Sequence, residues 1–247
     1  PDNANDWRRA RDSLRFREAF DLQLALLDRR RRLGEAAGTP RPAVSGGLLD
    51  AFDAALPFEL TPGQRAAAAT IAAELGEPHP MLRLLQGEVG SGKTVVALRA
   101  MLQVAERHTA ESGGSGGEGG QSALLAPTEV LAAQHLRSVV EALGPALAER
   151  VHPVLLTSSM PTAERRRALL SIASGQARIA VGTHALLSES VTFYDLGLVV
   201  VDEQHRFGVE QRETLRQKGA SPHVLAMTAT PIPRTVALTA FGDLETS

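Results

Sequence analysis

The eight residues Gly87-Glu88-Val89-Gly90-Ser91-Gly92-Lys93-Thr94 follow the spacing G-x-x-x-x-G-K-[ST]. Glycines placed this way let consecutive backbone N–H groups turn inward around phosphate oxygens, and a helix starting at the end of the loop adds its positive dipole. Lys93 is placed to reach the β- and γ-phosphates of a triphosphate, and Thr94 to offer its hydroxyl to Mg²⁺. Further on, an apolar run, Leu196–Val201, delivers two adjacent carboxylates, Asp202 and Glu203. The first can hold Mg²⁺ against the phosphates; the second can orient and deprotonate an attacking water. A site that only bound nucleotide would need Asp202 more than Glu203, so the pair points to hydrolysis. Lysine is scarce in this chain, with Lys93 and Lys218 set against 24 arginines. One retained lysine inside the loop is therefore informative, because a compact ammonium fits a tight phosphate nest and a guanidinium fork does not.

Four further groups of residues carry two readings each. In Thr61-Pro62-Gly63-Gln64, Thr-x-x-Gln with Pro at the first helical position is a capping box. Gln64 can equally recognise adenine, with the side chain of Phe58 close to the base, and a helix starting beside the nucleotide can serve both needs. Thr128, Thr183 and Thr230 follow or end strands in Ala126-Pro127-Thr128, Val181-Gly182-Thr183-His184 and Thr228-Ala229-Thr230-Pro231. Each can cap the next helix, and the same helix N-termini can bind nucleic-acid phosphates without reading sequence.

Positioning these residues requires a sheet. Short apolar segments at Met81–Gln86, Ser122–Ala126, Val154–Thr157, Arg178–Val181, Leu196–Val201 and His223–Met227 read as strands. Helical patterns begin near Pro62, Thr94, Glu129, Thr162 and Gln211. This alternation, with nearly continuous apolar strands, predicts an α/β domain with a mostly parallel sheet covered by helices on both faces. Ligands of such sheets bind beyond the carboxyl ends of the strands, where all the motifs above fall.

Residues 7–33 read as a long amphipathic helix, with Leu14, Phe20, Leu24 and Leu27 at helical spacing and the Arg29–Arg32 run at its end. Residues 34–47 look like a linker, which places a domain boundary near residue 48. The Gly/Ser-rich stretch 112–121 reads as a disordered surface insertion between a helix and the next strand.

The 247 residues suffice for one sizeable α/β domain and a shorter appendage. The first residue is Pro1, so a piece of a longer protein is expected. The absence of cysteine excludes a disulfide scaffold and a thiolate zinc site. No apolar run suits a membrane span, and a cytoplasmic protein without a membrane partner is expected. The net charge of −2 is not that of a generally basic nucleic-acid binder, but residues 7–33 hold nine Arg against four acids.

The order of phosphate loop, APTE, VGTHAL, DEQH and TATP resembles the first motor domain of the second helicase superfamily. The phrases LPFELTPGQ, LLQGEVGSGKTVVA, LAPTEVLAAQH, VGTHALLSESVTF, LGLVVVDEQHRFGVEQRETLRQKG and MTATPIPRTVALTAFGDL are similar to those of the RecG-type branch-migration helicases, over about residues 48–247. The resemblance implies a RecA-like fold and an ATP- and Mg²⁺-dependent translocase acting on branched DNA, meaning stalled forks and Holliday-type junctions, in repair and recombination. It implies phosphate contacts from Lys93 and the loop, metal binding by Thr94 and Asp202, and water activation by Glu203. Gln204 and His205, with Thr228 and Thr230, would couple the γ-phosphate to DNA, while Thr128, Thr183 and His184 would touch its backbone. Residues 1–47 would be the connector helix and linker from a wedge domain, and 48–247 the ATP-binding domain, with the wedge and the second motor domain outside this chain. Two alternatives stay open. One is a transcription-repair coupling translocase, which shares TATPIPRT-like phrases but reads DEEH for DEQH. The other, for the chain alone, is a nucleotide-binding module without motor activity.

Overall fold

In the computed structural model, the described residues are 11–21, 24, 38–106, 119–202, 214, 221–229 and 245–246. They fall into two compact units, one within Pro1–Ala36 and Ile232–Leu244, the other within Ala37–Pro231 and Glu245–Ser247. In the first unit, residues 11–21 are helical (α1). Phe16 and Phe20 stack on one another at 6.2 Å between ring centroids, and together with Leu14 and Leu24 they are exposed. Leu27 and the Arg29–Arg32 run lie outside the described residues.

The second unit is built on a parallel sheet. Its strands are β1 (Leu82–Gln86), β2 (Gln121–Leu125), β3 (Val154–Leu156), β4 (Ile179–Gly182), β5 (Leu196–Asp202) and β6 (His223–Thr228), with a two-residue β7 (Glu245–Thr246). The order is β3-β4-β2-β5-β6-β1-β7, and every pairing is parallel. The helices are α2 (Leu48–Ala55), α3 (Pro62–Leu75), α4 (Lys93–Ala105), α5 (Glu129–Val151) and α6 (Thr162–Ala173). The six expected strands form within a residue or two of their anticipated ends and four of the expected helices begin within a residue of their anticipated starts, while the helix expected near Gln211 lies outside the described residues apart from helical Thr214. Helix α2 and the 3₁₀ turn His184–Leu187 are additional.

The apolar strands are continuous because both sheet faces are buried. Leu124, Leu198, Val200, Leu225 and Met227 point into one core with Phe52, Ile71, Leu98, Met101 and Leu143. Their strand neighbours Leu125, Val199 and Val201 point into the other with Leu156, Ile172, Leu186 and Phe193. This is the period-2 alternation of a strand, with both sides dry. Helix α5 bends where Gly144 (φ 65°) precedes Pro145. Pro145 lacks the N–H for an i→i−4 bond, which accounts for the break. Among the described residues no helix is long and apolar enough to cross a membrane.

Two segments expected to be loose make buried polar contacts. Within the stretch read as linker, the Arg41 N–H donates to the Leu75 carbonyl (2.6 Å) and its carbonyl accepts from Gln103 Nε2 (2.7 Å). The Arg41 guanidinium is buried and donates to both carboxylate oxygens of Asp195 at 2.6 Å. The Gly/Ser stretch needs a correction at its end: Gln121, expected inside the insertion, opens β2 and is 1% exposed. Its amide nitrogen donates to the carbonyls of Ile172 (2.9 Å) and Ala177 (2.6 Å), and its oxygen accepts from the N–H groups of Tyr194 and Asp195. Composition reads Gln after a Gly/Ser run as solvent-facing; here it meets the backbone needs of three segments that no strand ladder serves. Residues 112–118 lie outside the described residues.

His223, at the start of β6, is 1% exposed. Its Nδ1 accepts from the Met81 N–H (2.9 Å), which leaves Nε2 to donate to the Thr39 carbonyl (3.3 Å). Burial foremost pushes its pKa down to about 4.

Two outcomes follow for stability. Gln121→Ala removes four hydrogen bonds, taking these partners from the Ala177 carbonyl and the Tyr194 and Asp195 N–H groups while the Ile172 carbonyl keeps the Gly175 N–H, and should lower unfolding free energy by about 1–3 kcal/mol in urea titrations. For His223, the unfolded chain takes up a proton near the ordinary 6.5 and the folded chain only near 4. Stability is therefore full above the first value and lost as pH falls toward the second. The urea midpoint should drop as pH is lowered through that window, while ¹⁵N shifts of His223 still report the neutral Nε2–H form near the upper end.

Candidate nucleotide site

Because every strand is parallel, all carboxyl ends share one edge of the sheet, and the motif residues collect there. β6 lies between β1 and β5, with Met227 opposite both Leu85 and Asp202, and Thr228 opposite Gln86. The phosphate-loop start and Asp202 are therefore two strand spacings apart, about 10 Å. The loop is tied to this edge by the Gly87 N–H, which donates to the Thr228 carbonyl (3.2 Å). Thr228 itself is buried.

The loop leaves β1 at Gly87, turns through a Ser91 N–H to Glu88 carbonyl bond (3.1 Å), and enters α4 at Lys93. Gly90 and Gly92 sit at φ 81° and 80°, a left-handed conformation that disfavours any side chain. A Cβ at Gly92 would also displace the Gln64 side-chain amide from its place against the loop. Lys93 Nζ donates to the carbonyls of Gly87 (2.7 Å) and Glu88 (2.8 Å), so the ammonium spans the mouth of the loop. The α4 N-terminus has no side-chain cap and no acid in its first turn. Glu88, Val89 and Ser91 are exposed, and Thr94 is half-buried in that turn. A loop with an ammonium at its mouth and uncapped helix amides behind it fits a polyphosphate. Thr94 and Asp202 offer two oxygen donors, which suits an ion such as Mg²⁺ that keeps water and phosphate oxygens in most of its shell.

Gln64 takes part in two structures at once. Its backbone N–H donates to Thr61 Oγ1 (3.2 Å) and its Oε1 accepts from the Thr61 N–H (2.8 Å), completing the capping box. Its Nε2 donates to the Ser91 carbonyl (2.8 Å), so the start of α3 is fastened to the phosphate loop. A cavity of about 290 Å³ follows this contact, lined in part by Thr61, Gln64, Gly87, Ser91 and Lys93. A second cavity, about 530 Å³, is lined by Phe58, Leu60, Arg65, Arg99 and Asp53 among others. Phe58 thus stands at the next cavity along the chain from Gln64. Arg65 and Arg99 escaped the sequence reading, since neither sits in a spacing pattern.

Thr128 caps α5 by accepting from the Leu131 N–H (3.3 Å). Thr183 is buried and accepts from the Ala185 N–H (3.4 Å), while His184 is exposed. Gly182, immediately before Thr183, admits no side chain, because a Cβ would run into the Leu156 carbonyl of β3. Glu129 links this region to the loop before α6, accepting from the N–H groups of Ser158 (2.9 Å) and Ser159 (3.0 Å) and from the Ser159 hydroxyl. The Ser159 hydroxyl bond first, and then the two amides, hold its carboxyl below the usual range. Nothing in residue type or spacing announces that contact. Glu203, Gln204, His205 and Thr230 lie outside the described residues.

A DEAD/DEAH box helicase family model matches residues 61–239. The ATP-dependent DNA helicase RecG of Mycobacterium tuberculosis (strain ATCC 25618 / H37Rv) is 53% identical over 97% of this chain and 32% of its own length. RecG of Thermotoga maritima is 42% identical over 96% of this chain and 28% of its own. The chain thus spans about a third of the length of the curated relatives it matches. The solved structure of RecG bound to a three-way DNA junction aligns with all of this chain and 31% of its own, at TM-score 0.81 and 39% identity. The DEAD-box helicase Mss116 bound to ssRNA and UDP-BeF shares the fold at TM-score 0.58 and 19% identity, over 83% of this chain and 45% of its own. With the family model matching most of its residues and the RecG sequences similar along nearly all of it, the chain belongs to the DEAD/DEAH box helicase family.

Proposed function

We propose that this chain is the ATP-binding motor domain of a helicase that uses ATP to translocate on branched DNA and remodel stalled forks in repair and recombination, in the cytoplasm. The observation that carries the reading is the phosphate loop facing Asp202 across β6, in a chain this similar to RecG along its length. The similarity to a RecG structure bound to a three-way junction supports branched DNA as the substrate.

In this reading the loop amides from Gly87 to Gly92 and the Lys93 ammonium hold the β- and γ-phosphates, and Lys93 must first leave the carbonyls of Gly87 and Glu88. Thr94 and Asp202 would hold Mg²⁺, which would supply neutralisation of the phosphate charge. Glu203 orients and deprotonates the attacking water, and Gln64 and Phe58 flank the adenine. Gln204, His205, Thr228 and Thr230 link the phosphate state to DNA, whose backbone Thr128, Thr183 and His184 contact. Residues 1–47 serve as connector and 48–247 as the ATP-binding domain. The relatives extend well beyond the matched third, so fork-dependent turnover is assigned to a protein of their length.

Lys93→Ala should weaken binding of a fluorescent ATP analogue by roughly 10- to 100-fold, the range for one or two kcal/mol-scale charge-assisted contacts, with little change in the urea midpoint. For DNA coupling, ATP turnover is measured with forked duplex, single-stranded DNA and no DNA. The full-length protein should respond most to forks and lose that response in Glu203→Gln. Turnover by the full-length protein that ignores forked DNA would sink the junction reading.

A further inference from the structure

His135 lies in the second turn of α5, and its Nε2–H donates to Oδ2 of Asp202 across 2.6 Å. The two residues are 67 apart in the chain. They meet because β2 and β5 are neighbours, with Leu125 opposite Val201, and α5 follows β2 over the same edge of the sheet where β5 ends. The side chains are 15% and 18% exposed, so the contact is largely shielded from competing water. Helix α5 is itself anchored on both sides of the contact. Its first residue, Glu129, grips the Ser158–Ser159 loop, and Ala132, Val139 and Leu143 are buried in the core. A histidine on so constrained a helix has little freedom to follow the carboxylate if that rotates. The imidazole therefore offers the carboxylate a partner placed by the core.

We propose that His135 is a positioning residue for Asp202, fixing the plane of its carboxylate for a divalent cation. The inference rests on the nucleotide reading above. It assigns no contact with nucleotide to His135; the residue acts through Asp202. Hydrogen-bond partners of metal-binding carboxylates typically matter by 10–100-fold in metal affinity. A histidine that only packed would contribute to stability without favouring the cation over the nucleotide.

The test compares His135→Leu and His135→Gln, which have similar bulk but of which only Gln keeps an N–H donor. Mn²⁺ binding is followed by its free-ion electron paramagnetic resonance signal in the presence of ADP, and ADP affinity is measured separately in EDTA. His135→Leu should weaken Mn²⁺ binding by about 10-fold or more, leave ADP affinity in EDTA unchanged, and be largely rescued in His135→Gln. Unchanged Mn²⁺ affinity in His135→Leu overturns the proposal. So does an equal loss in the Leu and Gln variants, or a loss of ADP affinity in EDTA that matches the loss of Mn²⁺. Failure of the unsubstituted chain to bind ADP, with Lys93→Ala making no difference, would instead overturn the nucleotide reading on which the proposal rests.

Discussion

The parallel pairing of β5, β6 and β1 imposes the geometry on which the rest depends. Parallel strands with covering helices all end at one edge, so each strand hands its next residue to the same surface. Here the hydrogen-bonded register goes further. Asp202, Met227 and Leu85 form one row across three strands, and Gln86 and Thr228 the next. That row sets the distance between the start of the glycine-rich loop and Asp202 within narrow limits, because strand spacing hardly varies. A slip of one residue in β5 would also turn Val199 and Val201 into the opposite core. Burial of both faces therefore guards the chemistry at the edge.

The loops beyond that edge lack ladder partners, and polar side chains supply them. Gln64 joins the start of α3 to the carbonyl of Ser91; Glu129 joins the start of α5 to the amides of Ser158 and Ser159; His135 joins α5 to Asp202. At the opposite edge Gln121 and Arg41 do the same for the segments entering and leaving β5 and α6. Gln121, Arg41 and His135 do so where backbone or carboxylate groups are sheltered from water, Gln64 and Glu129 where they are exposed. Each also ties two segments together, so the glycine-rich loop, Asp202 and the threonine-capped helix starts are each held by such cross-links.

Much of the candidate site is local and could be read directly. The phosphate loop needs glycines at left-handed positions, a lysine at the first helical residue and a hydroxyl after it, and those demands fall on consecutive residues Gly87–Thr94. The capping box at Thr61–Gln64 and the threonine cap at Thr128 are equally local. Apolar runs with both faces buried announced six strands, and their alternation with helices announced a parallel sheet.

Contacts between residues far apart in the chain had no such signature. The pairing of His135 with Asp202, the grip of Glu129 on Ser158 and Ser159, and the second bond of Gln64 depend on which strands become neighbours. Gln121 differs from its composition for the same reason, since its Gly/Ser surroundings suggest solvent while four backbone groups from distant segments hold it buried. The sequence by itself therefore determined the elements, the phosphate-binding loop and the acid that faces it, because hydrophobic period and local backbone geometry act over a few residues. Only the tertiary structure decided which side chains hold those parts in place, because a hydrogen bond across the sheet follows strand order, which no local pattern encodes.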